Sequence, residues 1–395
     1  MSDYYDIIVA GGSISGLLAA RELGAAGLSV AVLEEDAEIG TPEHCGGLVS
    51  ISGIENLGII PSNNAIENNE IKYAKIFSPS KCFELNAEKQ KIIVLDRRTF
   101  DKQVAFQAQK MGAEIRVKCS MYSISKKHTT NNYNKDNGYY LIKTSEGLLT
   151  CNYFVDARGI GSLIQRNRLG LLQAAQYEVY APWIDRNTIE IRFDRERYPG
   201  FFAWIIPTGS GKGKVGVAGR SINAANSLKS YLDSEGEKYS IVRKVYAPIW
   251  IMGPLEHFVM ERSLVIGDAA GQTKPTTAGG IYTCGIGGIL AGKALTKSIK
   301  KNDDCLLHDY EKNWFSIFKS EFDRMLLLRK VLERLDNRAL DQLFSTISRG
   351  EIEDISKTGD FDFHSTALSK ILGSRSGLRI VKTLFDNEIR HFFNI

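Results

Sequence analysis

The chain has 395 residues, which is too long for one ordinary domain, so we expect either two packed modules or one large domain with an appendage. Apolar residues make up 43% and charged residues 24%, a balance that indicates a folded globular protein and excludes disordered and collagen-like classes. The formal net charge of +4 comes from lysines and arginines scattered among acids, which argues against nucleic acid as a partner.

The six cysteines contain no CxxC pair and no regular spacing, which argues against a disulfide framework or a zinc site and favours a reducing cytosol. The start MSDYYDIIVAGG has no basic region before its first apolar run, so we expect no signal peptide. The apolar stretch GGIYTCGIGGILAGKAL carries many glycines and Lys293, so we expect no membrane-spanning helix there. The expected location is cytoplasmic, and the mild positive charge leaves peripheral contact with an anionic membrane surface open.

The first predicted elements are a strand, a turn, a helix and a second strand. Apolar periodicity predicts the strands over residues 6–10 and 29–33 and the helix over residues 17–26. The turn and the end of the second strand contain the candidate cofactor-binding residues Gly11, Gly12, Ser13, Ser15, Gly16, Glu34 and Glu35.

This order of elements matches the chemistry of a dinucleotide-binding βαβ unit. Such a unit needs a glycine where the strand turns, a small residue where the pyrophosphate lies against bare backbone, and a glycine where helix and strand touch. Ser13 stands at the second place, where its small side chain still allows close approach. The helix N-terminus offers free amides to the phosphates. Glu34 is placed to accept a hydrogen bond from a ribose hydroxyl, so the segment predicts binding of a dinucleotide.

The next segments predict the rest of the architecture. Helical spacing over residues 98–112 leads into a predicted strand over 113–118 that re-joins the first sheet. Residues 126–138 are polar and rich in turn formers, which predicts an exposed hairpin loop. Alternating runs between residues 170 and 250 predict antiparallel strands of a second sheet, and the chain from about residue 303 onward has helical patterns.

Two segments resemble the para-hydroxybenzoate hydroxylase superfamily of flavoproteins. The segment SLVIGDAAGQTKPTTAGGIYTCGIGGILAGKAL resembles its second FAD fingerprint, and LDRRTFDKQVAFQAQKMGAEI is similar to the segment that places an arginine, here Arg97, beside the cofactor. The resemblance implies FAD as the cofactor, with Asp268 on its ribityl chain or phosphate region and the following helix pointing its amide end at the isoalloxazine. The other candidate cofactor-binding residues of the first segment are Ala270, Gly271, Pro275, Gly279, Gly280 and Ile281.

The predicted fold class is therefore α/β, with a Rossmann-like FAD-binding domain, a second antiparallel-sheet substrate domain and a helical C-terminal region. The FAD-binding domain is predicted to be discontinuous. It comprises residues 1–60, 90–165 and 255–302, the substrate domain comprises 61–89 and 166–254, and the helical region comprises 303–395.

Two further motifs resemble the geranylgeranyl reductases, the enzymes of this superfamily that saturate isoprenoid chains of archaeal membrane lipids and of chlorophyll. The stretch PEHCGGLVS resembles their cysteine signature, and Cys45 and Gly46 in it are further candidate cofactor-binding residues. The stretch PGFFAWIIPTGSGKGKVGVAG, with Phe202 and Trp204, resembles their aromatic-x-Trp-x-Phe-Pro motif and the glycine pair that follows it. Two residues depart from the second motif, since Ile206 replaces the usual Phe and Ala218 stands where the second glycine is expected.

The resemblance implies an FAD-dependent reductase that acts on an isoprenoid lipid. An isolated alkene has no carbonyl to accept charge, so a proton must arrive with the hydride. A thiol of reference pKa ~8.5 is mostly protonated at neutral pH, which makes Cys45 a candidate catalytic donor. Phe202 and Trp204 are candidate catalytic residues that would wall the chain against the flavin and exclude water. The alternative for all three side chains is plain core packing.

Other functions of the same superfamily remain open on sequence alone. Arg158 in FVDARGIGS stands where aromatic hydroxylases carry the aspartate that serves flavin and NADPH, which weakens the hydroxylase interpretation. The alternatives are a monooxygenase of a quinone or polyketide, a halogenase, and a non-catalytic flavin-binding or lipid-binding protein. The electron donor is either a ferredoxin or NAD(P)H, since no second nicotinamide fingerprint follows the first.

Overall fold

Two large sheets and one small sheet organise the chain in a computed structural model that describes residues 3–127, 138–162, 170–235 and 238–363. The strands in chain order are β1 (Asp3–Ala10), β2 (Val30–Leu33), β3 (Leu48–Ser50), β4 (Ile66–Asn68), β5 (Tyr73–Phe77), β6 (Cys82–Asn86), β7 (Ile92–Leu95), β8 (Glu114–Arg116), β9 (Met121–Lys127), β10 (Tyr139–Thr144), β11 (Gly147–Asp156), β12 (Leu171–Tyr180), β13 (Thr188–Arg192), β14 (Ala203–Gly209), β15 (Lys212–Gly219), β16 (Ser240–Tyr246), β17 (Ile249–Trp250), β18 (Val259–Met260) and β19 (Ser263–Val265). The α-helices are α1 (Ile14–Ala25), α2 (Ile51–Asn56), α3 (Arg97–Lys110), α4 (Ala224–Ser234), α5 (Ile281–Lys301), α6 (His308–Leu332), α7 (Asn337–Thr346) and α8 (Arg349–Thr358).

The first sheet has the parallel order expected of a dinucleotide-binding domain. Strands β8, β2, β1, β11 and β19 lie side by side and parallel. β18 pairs antiparallel with β19 at one edge, and the β9–β10 hairpin joins β11. The strand, helix and strand predicted at the N-terminus are confirmed as β1, α1 and β2, and the strand predicted over 113–118 joins the sheet as β8.

The glycine-rich apolar stretch forms helix α5, which packs against α1 in the core. A Cβ at Gly288 would overlap the carbonyl oxygen of Ser15, and one at Gly292 would lie 2.7 Å from the Cβ of Glu22. The glycines therefore allow two helix backbones to approach closely. Among the described residues, no helix is long and apolar enough to cross a membrane.

The second sheet has the order β16-β12-β15-β14-β13-β5-β6, with β17 also paired to β12. All of these pairs are antiparallel except β5 with β13, so the predicted second sheet is confirmed and carries one parallel pair. β4 lies instead in a small third sheet with β3 and β7, which the sequence did not predict. The division into domains at the stated residues stays a prediction.

The C-terminal helices cover both large sheets. Trp314, Phe318 and Phe322 on α6 are buried in the core of the first sheet. The ring of Phe344 on α7 lies 5.1 Å from that of Phe83 on the second sheet. The predicted helical region is confirmed as far as α8, whereas residues 364–395 and most of the predicted hairpin loop over 126–138 lie outside the described residues.

Candidate active site

A cavity of about 1120 Å³ lies between the first sheet, the second sheet and the C-terminal helices. Most candidate residues from the sequence line it, namely Gly11, Gly12, Ser13, Ser15, Glu34, Glu35, Cys45, Gly46, Arg97, Phe202, Trp204, Asp268, Gly279, Gly280 and Ile281. Their roles in binding and catalysis stay predictions. The fold thus brings together residues from four distant parts of the chain.

The turn after β1 has the geometry that a pyrophosphate needs. Gly11 has φ +113°, and a Cβ there would overlap the carbonyl oxygen of Ala157, so only glycine fits. The backbone N–H of Gly12 donates to Oε2 of Glu34 at 2.9 Å. Ser13 is the N-cap of α1, yet its side chain makes no capping hydrogen bond, so the first amides of the helix are left for an anion at the cavity wall.

Four candidate residues lie behind this wall rather than in it. A Cβ at Gly16 would overlap the carbonyl oxygen of Gly11, so this glycine allows the helix and the turn to touch. Ala270 is fully buried in the core, and Gly271 adopts φ +69° with its Cα against the carbonyl of Gly253. The carbonyl oxygen of Pro275 accepts a hydrogen bond from Arg329 at 3.0 Å. Ala270, Gly271 and Pro275 belong to the turn that follows Asp268, and a direct contact of all four residues with the cofactor stays only a prediction.

Arg97 lies at the start of α3 beside the first turn of α1. Its Nε and Nη2 donate to Asp101 at 2.9 and 2.8 Å, and Nη2 also reaches Oγ of Ser13 at 3.4 Å. Only 8% of the residue is exposed, so its position is set by these contacts. The guanidinium is thus held beside the first turn of α1 by a buried carboxylate, and its contact with the cofactor stays a prediction.

Asp268 has a partner that the sequence did not reveal. The thiol of Cys284, on the first turn of α5, donates to Oδ1 of Asp268 at 3.3 Å. Burial, together with the neighbouring carboxylate, raises the pKa of Cys284 well above its usual value, so it stays a neutral donor. Gly280, the N-cap of α5, packs against both groups. The position of Cys284 four residues after Gly280, one helical turn onward, was the available signal.

The Cys45 loop is a further part of the cavity lining. Sγ of Cys45 accepts a hydrogen bond from the backbone N–H of Gly47 at 3.3 Å, and the residue is partly exposed. A Cβ on Gly46 would come within 2.5 Å of Cδ1 of Ile206. The residue that replaces the usual Phe of the aromatic motif therefore packs directly on the cysteine motif.

Glu43, in the same loop, is a buried charge that sequence reasoning missed. Its Oε1 accepts from Nζ of Lys214 at 2.7 Å, and its Oε2 accepts from Nη2 of Arg243 at 2.8 Å. Oε1 also accepts from the backbone N–H of Arg97 at 3.1 Å. Glu43 therefore ties the cysteine loop to the second sheet and to the start of α3. Its only sequence signal was an acid inside an otherwise apolar and glycine-rich motif.

The far end of the cavity is an apolar slot. One wall is the face of the second sheet with Phe193 and Phe202, whose rings meet edge-on at 5.5 Å. Helix α7 also lines the slot, through Leu340, Leu343 and Phe344, and the ring of Phe344 lies 6.5 Å from that of Phe193. The sequence predicted a helical C-terminal region but assigned it no part in the site.

No family model matches the chain. A curated digeranylgeranylglycerophospholipid reductase of Methanocaldococcus jannaschii is 30% identical to it over 367 residues, which cover 87% of this chain and 90% of that protein. The chain belongs to the digeranylgeranylglycerophospholipid reductase family. The cysteine stretch around Cys45 and the aromatic stretch around Trp204 line one cavity.

Two solved structures show how widely this reductase fold is shared. A geranylgeranyl bacteriochlorophyll reductase-like protein from Thermoplasma acidophilum matches with a TM-score of 0.83 at 24% identity, covering 98% of this chain and 100% of that one. A flavin-dependent brominase matches with a TM-score of 0.67 at 15% identity, covering 98% of this chain and 100% of that one. At these identities the likeness shows the flavoprotein fold alone, so the family is assigned from the sequence match.

Gly11→Ala is expected to abolish flavin binding by this reductase, because the new Cβ would collide with the backbone at Ala157 and displace the turn. The control is Gly112→Ala, whose site has φ +99° and open space around it. That variant should lose only about 1–2 kcal/mol for its left-handed conformation and keep its flavin. The flavin-to-protein absorbance ratio and thermal unfolding measure both effects. Equal flavin content in the two variants would contradict the assigned role of the turn.

Proposed function

We propose that the chain is an FAD-dependent reductase that saturates carbon–carbon double bonds in the geranylgeranyl chains of a membrane glycerophospholipid. The observation that carries the proposal is one continuous cavity. It runs from the dinucleotide turn at Gly11, past Cys45 and Trp204, into the apolar slot under α7. A long, flexible hydrocarbon needs such a slot, which also excludes water from the reacting carbon.

The residues present fit FAD rather than a mononucleotide. The amides at the start of α1 suit a pyrophosphate, and Glu34 at the end of β2 lies where a ribose would follow. Both carboxylate oxygens of Glu34 already accept a backbone N–H, from Gly12 at 2.9 Å and Asp36 at 3.0 Å. These bonds fix the carboxylate, and each oxygen keeps a second lone pair for a hydroxyl donor.

FAD, when bound and reduced, would supply the hydride for one carbon of the double bond. The chain's own side chains would hold the proton, hold the lipid chain and keep water away. Cys45 holds a proton at Sγ for the other carbon, since the alkene offers no group to carry charge. Phe202 and Trp204 hold the isoprenoid chain in the slot and keep water away, and both line the cavity. Because the substrate is a membrane lipid, peripheral contact with the bilayer is part of this proposal.

One observation bears on the halogenase alternative, which requires a lysine between flavin and substrate. Lys274 is buried in the cavity wall, and burial lowers its pKa. Its Nζ donates to the carbonyl of Phe361 at 2.9 Å and lies 3.9 Å from Asp362. This ammonium is therefore already engaged by the segment that follows α8, and the reductase is the function that the geometry supports best.

The test is anaerobic turnover with a chemical reductant. The purified protein should be yellow and release FAD, not FMN, on heating. Dithionite-reduced protein should be reoxidised by lipids with geranylgeranyl chains and leave them with fewer double bonds by mass spectrometry. Saturated lipids of the same head group serve as the control. Colourless protein that cannot be reconstituted with FAD would overturn the proposal, as would rapid NADPH oxidation stimulated by a phenol.

The same anaerobic assay can test which electron donor reduces the flavin. Arg158 pairs with Asp156 through two hydrogen bonds, from Nε at 3.0 Å and Nη2 at 2.9 Å, and lines the cavity. A cation thus stands where hydroxylases carry the aspartate that serves NADPH. We expect NADPH alone to bleach the flavin slowly, as followed by absorbance under nitrogen, and a ferredoxin is then the other candidate donor. Fast bleaching by NADPH alone would assign the donor role to the nicotinamide.

A further inference from the structure

Three adjacent strands of the second sheet place three residues in one row. Gln176 on β12 pairs with Gly216 on β15, and Gly216 pairs with Trp204 on β14. Side chains of directly opposed residues point to the same face of a sheet. The row therefore presents an amide, a bare backbone and an indole to one side, which is the side of the cavity.

The absence of a side chain in the middle of the row lets its two ends meet. A Cβ on Gly216 would overlap Cζ2 and Cε2 of the Trp204 ring, so the indole lies flat across this glycine. Its Nε1–H then donates to Oε1 of Gln176 at 3.1 Å, across two strand spacings. Gly216 therefore makes room for this hydrogen bond, because a side chain at this position would displace the indole.

The other end of the Gln176 amide reaches the cysteine loop. Its Nε2 donates to the backbone carbonyl of Cys45 at 3.2 Å. Gln176 is only 6% exposed and lines the cavity. One buried amide therefore joins the indole of the aromatic motif to the backbone of the cysteine motif, and both ends of the amide are satisfied.

We propose that Gln176 is the positioning residue that sets the Cys45 thiol against the Trp204 wall. The inference rests on the proposed reductase function, in which the thiol must meet one carbon of a chain held by the indole. When the Gln176 amide is removed, the Cys45 loop is still held by the ion pairs of Glu43, which lies two residues before Cys45. It also keeps the contact of Gly46 with Ile206. The fold and the flavin site should survive, while the register between thiol and indole is lost.

Gln176→Leu, which keeps similar volume and removes both hydrogen bonds, is expected to lower single-turnover lipid reduction by about 10²-fold, because small misplacements of a reacting group are costly. FAD content should stay unchanged. Gln173→Leu is the matched control, since Gln173 lies on the same strand and is exposed. A loss of less than about threefold in Gln176→Leu would overturn the proposal.

Gln176→Glu tests the hydrogen bonds themselves. If Gln176 had only a structural role, the activity of this variant relative to wild type would not depend on pH. A protonated carboxyl has one acceptor and one donor, as the amide does, whereas the carboxylate can only accept. Activity relative to wild type should therefore recover as the pH falls and the new carboxyl becomes protonated. Glu178, Lys214, Arg243 and Glu43 share this region, and taking the ratio to wild type at each pH removes their own titration. A flat ratio over pH 5–9 would overturn the hydrogen-bond role.

Alkylation of Cys45 by iodoacetamide, located by mass spectrometry, is a measurement that needs no lipid. The alkylation rate should change in Gln176→Leu and in Trp204→Phe, in which the N–H donor is lost. In the double variant, the change in alkylation rate should be much smaller than the sum of the two single changes. Unchanged alkylation in both single variants would overturn the proposal. If wild type reduces no lipid, the proposed function fails, while the alkylation rates still decide the positioning role of Gln176.

Discussion

Cys45→Ala is expected to lower the rate of alkene reduction about 10²- to 10⁴-fold, the range of general acid assistance, while FAD stays bound. The thiol is partly exposed, lies in the cavity wall and accepts a hydrogen bond from the N–H of Gly47 at 3.3 Å. The dinucleotide turn at Gly11 and the helix N-terminus at Ser13, in other segments, are the sites predicted to hold the cofactor. Binding and chemistry should therefore separate in this variant.

The measurement is anaerobic single turnover of the dithionite-reduced protein with a geranylgeranyl lipid, together with lipid affinity and FAD content. Cys305→Ala is the matched control, because this second free cysteine is exposed and outside the cavity lining. A Cys45→Ala enzyme within about threefold of wild type would show that the proton comes from water or another group. Joint loss of flavin and stability would instead identify Cys45 as a packing residue.

Lys214→Met is expected to lower the free energy of unfolding by about 3–5 kcal/mol, because it breaks a buried ion pair and leaves its partner without full compensation. The side chains of Lys214 and Glu43 are both 0% exposed, and Nζ lies 2.7 Å from Glu43 and 2.7 Å from Glu67. Methionine retains the volume but not the charge. Since Glu43 lies two residues before Cys45, lipid reduction should fall together with stability.

Urea unfolding followed by fluorescence measures this loss. Lys212→Met, an exposed lysine at the start of the same strand, should change stability by less than about 0.5 kcal/mol. Lys214→Met combined with Glu43→Gln should recover part of the stability, since both opposed charges are then removed. Equal stability of the Lys214 and Lys212 variants would contradict the role assigned to this ion pair.

The dinucleotide-binding unit could be predicted from sequence because its determinants are local. β1, α1 and β2 formed where the apolar periods placed them, and the turn at Gly11 has the positive φ that a glycine there implies. Asp268 and the start of α5 were likewise identified from one continuous segment. A strand period, a turn and a helix start depend on residues within a few positions of each other.

Other parts of the site depend on partners that no local pattern specifies. Glu43 and Lys214 are 171 residues apart in sequence, and Gln176 and Cys45 are 131 apart. Which side chain faces which across a sheet depends on strand order and register, and these exist only once the sheet is assembled.

The sequence by itself determined the family, the flavin-binding fold, the second sheet and the motifs around Cys45 and Trp204. Only the tertiary structure decided that α7 walls the apolar slot, that Ala270 and Pro275 lie behind the cavity rather than in it, and that Gln176 joins the two motifs. The physical reason is that short-range periodicity encodes elements, whereas cavities and buried polar contacts arise from the packing of elements distant in the chain.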